Sequence, residues 1–149
     1  MELWELSGRE SIRMLVNRYN SNGDSGRFAE VLELFATDAV MEVPGEVHRG
    51  IDEITTIFTG TKGRLGDFGR AGSGKPFYMR HYTATHQVDF IDQETAKGRC
   101  YYVVLMPHGV DHWGRYIDEY GVRDGRWVFT NRKVTMDGYV DGGFGAASV

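Results

Sequence analysis

Residues 96–136 read AKGRCYYVVLMPHGVDHWGRYIDEYGVRDGRWVFTNRKVTM. This stretch decides the fold. Two turn signals, His108-Gly109-Val110-Asp111 and Asp124-Gly125, cut it into three segments, 96–107, 113–122 and 127–136. Asp-Gly between apolar runs is a strong hairpin signal, because both residues tolerate positive φ. Each segment is rich in β-branched and aromatic residues, with Cys100-Tyr101-Tyr102-Val103-Val104-Leu105 at the centre of the first. Residues 77–91, closed by Asp92-Gln93-Glu94, make a fourth long strand. Four long strands joined by short turns form a meander.

Upstream the periodicity changes from two to 3.6. Ile12, Leu15, Val16 and Tyr19 fall at i, i+3, i+4 and i+7, the apolar stripe of a helix over 7–22. Ser7 and Glu10 have the capping-box spacing at its start. Phe28, Val31, Leu32 and Phe35 repeat the pattern over 25–36, and Ile51, Ile54, Ile57 and Phe58 over 50–59. A short strand, Ala39–Val43, ends at Pro44-Gly45, and Val47–Arg49 can pair back on it. Residues 60–76, rich in Gly, Arg and Lys, read as a long mobile loop. The expected architecture is α+β. Three N-terminal helices pack on a strongly curved antiparallel sheet, a cone-shaped barrel around one pocket. One domain spans 1–149, its core about 5–136; the Gly-rich tail 137–149 is either disordered or folded over the pocket mouth.

Composition narrows the function. With 41% hydrophobic and 26% charged residues the chain is globular. A formal net charge of −4 speaks against nucleic acid, which needs a basic field. A lone cysteine, Cys100, excludes an intrachain disulfide and reads as a small buried hydrophobe. The first residues lack an apolar signal core, and no run approaches the ~20 apolar residues that span a bilayer, so no membrane role and a cytoplasmic location are expected. No metal motif, nucleotide loop or nucleophile elbow stands in the sequence; Gly72-Ser73-Gly74-Lys75 lacks the strand and helix a phosphate loop requires. No cofactor is expected.

Several ordered stretches carry a resemblance: Arg18-Tyr19 with Asp24 five residues past the tyrosine, Leu34-Phe35-Ala36-Thr37-Asp38-Ala39, Arg49-Gly50-Ile51-Asp52-Glu53-Ile54, Arg80-His81-Tyr82 leading to Thr85-His86, Thr95–Arg99, and Tyr120–Trp127. Over residues 5–136 the chain resembles the SnoaL-like family of the nuclear-transport-factor-two-like fold, which includes scytalone dehydratase-like and ketosteroid isomerase-like enzymes. The resemblance implies a pocket for a small hydrophobic molecule, cofactor-independent chemistry, and homo-oligomers, dimeric or trimeric. In dehydratase and dehydrochlorinase members an aspartate between the first two helices and a histidine early in the first long strand form the catalytic dyad, and Asp24 and His81 fall on those positions. Tyr19 matches a pocket tyrosine, and Arg132 a pocket arginine on the last strand. A second histidine that some dehydratases carry would fall near Val103–Met106, where none stands.

Each residue also has a plain structural reading. Asp24 can cap the second helix. His81 can be a core or interface histidine, Tyr19 can be core, and Arg132 can be a surface ion-pair residue. Together, a carboxylate that fixes one ring nitrogen leaves the other as a base. His86 shares strand parity with Val88 and Phe90, opposite to His81, so both face inward only across a β-bulge. His48, His108 and His112 read as exposed turn or edge residues. The expected activity is a lyase or isomerase, dehydration first, on a small apolar cyclic substrate such as a polyketide, steroid or terpenoid. The alternatives are a polyketide cyclase and a non-catalytic binding protein using the same pocket. An Asp24 carboxylate within hydrogen-bond reach of His81, both open to a cavity, favours the enzyme; a distant, capping Asp24 favours the binder.

Overall fold

The computed structural model describes residues 1–71 and 77–149. In chain order the elements are α1 (Leu3–Asp24), α2 (Phe28–Leu32), β1 (Phe35–Val43), β2 (Glu46–Arg49), α3 (Gly50–Ala71), β3 (Arg80–Phe90), β4 (Thr95–Met106), β5 (Gly109–Arg123) and β6 (Arg126–Tyr139), then a 3₁₀ turn at Ala146–Ser148. The strands form one sheet in the order β2-β1-β6-β5-β4-β3. It is curled but not closed, and the three helices pack on its inner face. The meander β3 to β6 is antiparallel throughout, as its turns require. β1, however, pairs parallel with β6, so the sheet is mixed rather than antiparallel. The reason is connectivity: β1 follows directly on the helices and enters beside the last strand, Phe129 N–H donating to the Leu34 carbonyl at 2.9 Å.

Several boundaries differ from the sequence expectation. α1 starts at Leu3 with Glu2 as its N-cap, and Ser7 lies inside the helix. The early turns are held by packing. Trp4 meets Phe90 edge-on at 5.3 Å, and Gly8 lies so close beneath Phe90 that a Cβ there would stand 2.9 Å from Cζ. α2 has five residues instead of twelve, because Phe35 leaves the helical stripe to start β1 and pair with Phe129. Residues 60–71, expected to be loop, continue α3. Cβ atoms built at Gly60 and Gly63 would meet no neighbour, whereas Ile57, Phe58, Thr61 and Leu65 keep helical spacing on the inner side. Glycine content suggested a break where an apolar face persists. The rest of the expected loop, including Gly72-Ser73-Gly74-Lys75, lies outside the described residues. Finally, β6 runs on to Tyr139, and the tail beyond it turns inward to bury Phe144.

The core joins α1 and α3 to the inner sheet face through Ile12, Leu15, Val16, Ile54, Val104, Tyr116, Tyr120 and Phe129, among others. A bulge in β3 between Ala84 and Gln87, with Thr85 at φ 57°, resets the alternation. Its consequence is that His81 and His86, of opposite parity, both turn inward. Among the described residues no helix is long and apolar enough to cross a membrane.

Candidate functional site

A cavity of about 690 Å³ lies between α1, α3 and the inner face of the sheet. Its walls are largely apolar, with Phe28, Met41, Ile57, Phe58, Leu65 and Met136 among them. Polar groups converge at the end where α1 stops. Asp24 is the last residue of α1, not the cap of α2, whose N-cap is Arg27 with no side-chain capping bond. Its carboxylate reaches across to β3 instead. Oδ2 accepts the His81 backbone N–H at 2.8 Å, and Oδ1 lies 2.6 Å from His81 Nδ1. Two anchors from one carboxylate fix both the strand and the ring. The carboxylate can only accept, so Nδ1 carries the hydrogen and Nε2 keeps its lone pair. Both side chains line the cavity, with relative exposures of 12% for Asp24 and 18% for His81.

Tyr19, one turn back on α1, lines the same cavity and is 8% exposed. Burial raises its hydroxyl above the usual range, opposed by the Arg132 cation, which lowers it. The phenol therefore stays protonated at neutral pH and can donate. Asn20 also lines the cavity; its Oδ1 accepts from Tyr116 at 3.1 Å, while its buried Nδ2 has no hydrogen-bond partner among the described residues. A buried amide N–H left unpaired costs roughly 1–3 kcal/mol. A ligand oxygen in the cavity would satisfy it. Nothing in the sequence singled out Asn20, because its role rests on being four residues before Asp24 on the same helix face.

Arg132 and His86 are not brought to this cavity. Arg132 is wholly buried behind its wall, its guanidinium 4.2 Å from the Tyr19 ring centroid and 3.9 Å from that of Tyr116. It is neither a pocket ligand contact nor a surface ion pair. Nε and one terminal nitrogen hold the Asp118 carboxylate at 2.8 and 2.9 Å, both side chains fully buried. Burial would lower the Arg132 pKa, but Asp118 raises it further, so the cation persists. Tyr120 donates to Asp118 Oδ2 at 2.9 Å, and His86 Nε2 lies 3.2 Å from the Tyr120 oxygen. Since that hydroxyl hydrogen is already given to Asp118, His86 is the donor of this contact. Burial lowers the His86 pKa, which suits a neutral ring in that chain.

Two histidines read as exposed are not. His48 has a side-chain exposure of 16%, lies 2.9 Å from Glu46 and lines the cavity rim. His112 has 12%, lines the cavity, and its Nδ1 lies 2.7 Å from Asp111 Oδ1. β5 begins at Gly109, so the residues taken as a turn are already strand, and His112 stands opposite Val104 of β4. His112 therefore lies on the strand beside the Val103–Met106 segment. Inward parity with Gly114, Tyr116 and Asp118 was the available signal. Cys100 is buried, and burial pushes its thiol up to about 11, which leaves it unreactive at neutral pH. Among the described residues no group of three or more His, Cys, Asp or Glu side chains is arranged to hold a metal ion.

Residues 4–133 match the family model described as SnoaL-like domain. No curated protein sequence matches the chain. Solved structures share the fold. A protein of Novosphingobium aromaticivorans, provisionally named a scytalone dehydratase, superposes with a TM-score of 0.77 at 20% identity, over 95% of this chain and 91% of that one. The hexachlorocyclohexane dehydrochlorinase LinA-type3 of Novosphingobium barchaimii gives 0.77 at 18%, over 95% and 96%. ActVI-ORFA of Streptomyces coelicolor gives 0.69 at 18%, over 87% and 97%.

Proposed function

The chain belongs to the SnoaL-like family, and on that premise we propose that it is a cofactor-independent lyase or isomerase, dehydration first, acting on a small apolar cyclic molecule. The observation that carries this reading is the Asp24–His81 contact, 2.6 Å long and open to the cavity. A capping aspartate would not leave α2 to reach β3. Similar structures named for a dehydratase and a dehydrochlorinase support the same reaction class, since both names describe loss of a small group across a carbon–carbon bond.

His81 Nε2 takes a proton from carbon, α to a carbonyl or β to a leaving group. The electron pair moves into the new double bond, and the leaving group departs as its conjugate acid, or the proton returns at another carbon in an isomerisation. Asp24 holds the imidazole in the tautomer that leaves Nε2 free and stabilises the imidazolium once formed. The protonated Tyr19 hydroxyl and the unpaired Asn20 amide N–H face the oxygen on which charge develops. Arg132 acts only through Tyr19, as the cation beneath its ring. Aromatic and aliphatic walls suit a ring system of the polyketide, steroid or terpenoid kind.

The test uses 5-nitrobenzisoxazole, whose ring opens when a base removes its one acidic C–H, releasing a coloured phenolate. The wild-type protein should open it with saturation kinetics, and His81→Ala should lose on the order of 10²–10⁴-fold in kcat/KM, the span of a positioned proton transfer. Turnover no better than that of free imidazole, or an unaffected His81→Ala, contradicts the enzyme and leaves a binding protein with the same pocket.

A further inference from the structure

Besides its histidines, the cavity lining carries two carboxylates, Asp24 and Glu46, and two cations, Lys62 and Arg64. They are engaged differently. Each carboxylate has a histidine partner: Asp24 lies 2.6 Å from His81, and Glu46 lies 2.9 Å from His48. Neither cation meets a carboxylate among the described residues. Arg64 donates to Thr61 Oγ1 at 3.3 Å and lies over the Phe144 ring, 5.7 Å from its centroid, which leaves most of its donors unused. The Lys62 ammonium makes no hydrogen bond among the described residues. The cause is local. α3 runs on past residue 60 along the inward stripe of Ile57, Phe58, Thr61 and Leu65, and Lys62 and Arg64 flank that stripe. Both are exposed as well as lining, so they stand at the cavity mouth.

We propose that the molecule this cavity accepts carries an anionic group, and that Lys62 and Arg64 hold it at the mouth while its ring system reaches His81. The proposal rests on the reading of the cavity as the substrate site, and names the substrate class more closely: an apolar ring body bearing a carboxylate or a phosphate. Apolar walls alone would accept such a body in several orientations. The charges choose one. Asp24 disfavours an anion beside His81, and the unpaired cations of α3 favour it at the mouth. Ring contacts lead from one end to the other: the Phe144 ring under Arg64 lies 6.3 Å from that of His112, which lies 6.5 Å from that of His81. Arg64 offers a planar fork that suits two anion oxygens, and Lys62 adds a point charge beside it. In a chain of net charge −4, the pair also makes a local positive field that draws an anion to this opening.

Two dyes test this, anilinonaphthalene sulfonate and phenylnaphthylamine. They share one aromatic body and differ in the sulfonate, which stands in for the acid group. Fluorescence titration of the wild-type protein gives both Kd values, and each dye should displace the other. In the Lys62→Gln/Arg64→Gln protein the Kd of the sulfonate should rise about tenfold, the worth of two exposed charge pairs, and that of the neutral dye less than about twofold. Arg64 also touches Phe144, so Lys62→Gln alone is the second variant; it should weaken the sulfonate about threefold and leave the tail contact in place. Raising the salt from about 0.05 to about 0.5 M should weaken the sulfonate in the wild type, and less in the double variant. Equal changes for the two dyes, no change for either, or dyes that fail to displace each other overturn the proposal.

The source of the anion is read from competition. Displacement of the sulfonate by naphthoate assigns the cations to a carboxylate on the substrate itself; displacement by coenzyme A assigns them to the phosphates of a carrier. Displacement by neither overturns the assignment. None of these readouts depends on turnover. A His81→Ala protein that opens 5-nitrobenzisoxazole normally, in a chain that keeps its preference for the sulfonate, sinks the catalytic reading and leaves this one standing.

Discussion

Two carboxylates near Tyr19 each hold a nitrogen side chain. At the cavity, Asp24 holds His81. Behind the cavity wall, Asp118 holds Arg132 where neither side chain has any exposed surface. The chemistry of the pairs is similar, but the surroundings are not. The Arg132–Asp118 pair is sealed by three aromatic rings, those of Tyr19, Tyr116 and Phe129, and by the Tyr120 hydroxyl. A permanent guanidinium with no route to a substrate cannot exchange protons, so it serves packing and fixes the back of the Tyr19 ring. The imidazole in front keeps one nitrogen for the cavity, so it can do chemistry.

That contrast should break apart under mutation. Asp118→Asn leaves a buried guanidinium without its anion and should destabilise the fold by roughly 3–5 kcal/mol, with turnover per folded molecule preserved. Urea unfolding of the variant measures it. A loss under about 1 kcal/mol would mean that water reaches the pair and that the sealed side is not sealed.

Acid should act through the two histidines whose pKa burial lowers, His112 at the cavity and His86 in the Tyr120–Asp118 chain. His112 has a folded pKa below its unfolded value of about 6.5, so the unfolded chain binds a proton that the folded chain resists. The folded state therefore loses stability as pH falls through about 6.5 toward the lowered value. Asp111 is held below its usual value as well; burial would raise it, but the hydrogen bonds from His112, Gly145 and Phe144 outweigh that. Its contribution is present above about 3.9, the unfolded value, and is lost as pH falls through the folded one. Thermal melts from pH 7.5 to 5 should show Tm falling in the wild type and falling less in His112→Gln. Equal slopes would mean that His112 is not the group being titrated.

The outer face of the sheet gives the smallest effect. It carries exposed Tyr82, Tyr101, Trp113, Ile117 and Tyr139, a patch of the kind that partners cover. A homo-oligomer, dimer or trimer, is expected by light scattering at micromolar concentration, and a monomeric mass would contradict it.

Much of this was legible in the sequence where local chemistry decides. The Asp-Gly turn and the alternating aromatic segments placed β3 to β6 within a few residues, because a hairpin register is set by neighbours in sequence. The parallel pairing of β1 with β6 was not legible, since the residues that meet, such as Met41 and Arg132, are about ninety positions apart. The continuation of α3 was obscured by Gly60, Gly63 and Gly66, which weaken a helix that packing then restores. In the site, Asp24 and His81 could be named from spacing and resemblance, but the fate of Arg132 could not. Inward parity on β6 fits a pocket and a sealed core equally, and only Asp118, on the neighbouring strand, decides between them. His112 was missed because it follows a turn signal whose last residues, Val110 and Asp111, are already strand.

The central claim is that Asp24 and His81 act as one unit. A double-mutant cycle on 5-nitrobenzisoxazole opening tests it most directly, using Asp24→Asn, His81→Ala and the pair together, with thermal melts confirming that each is folded. The account predicts that the double variant is no more than about threefold worse than the worse single variant, as for residues that work as a unit. Losses that multiply, or an Asp24→Asn protein with wild-type turnover, would contradict it.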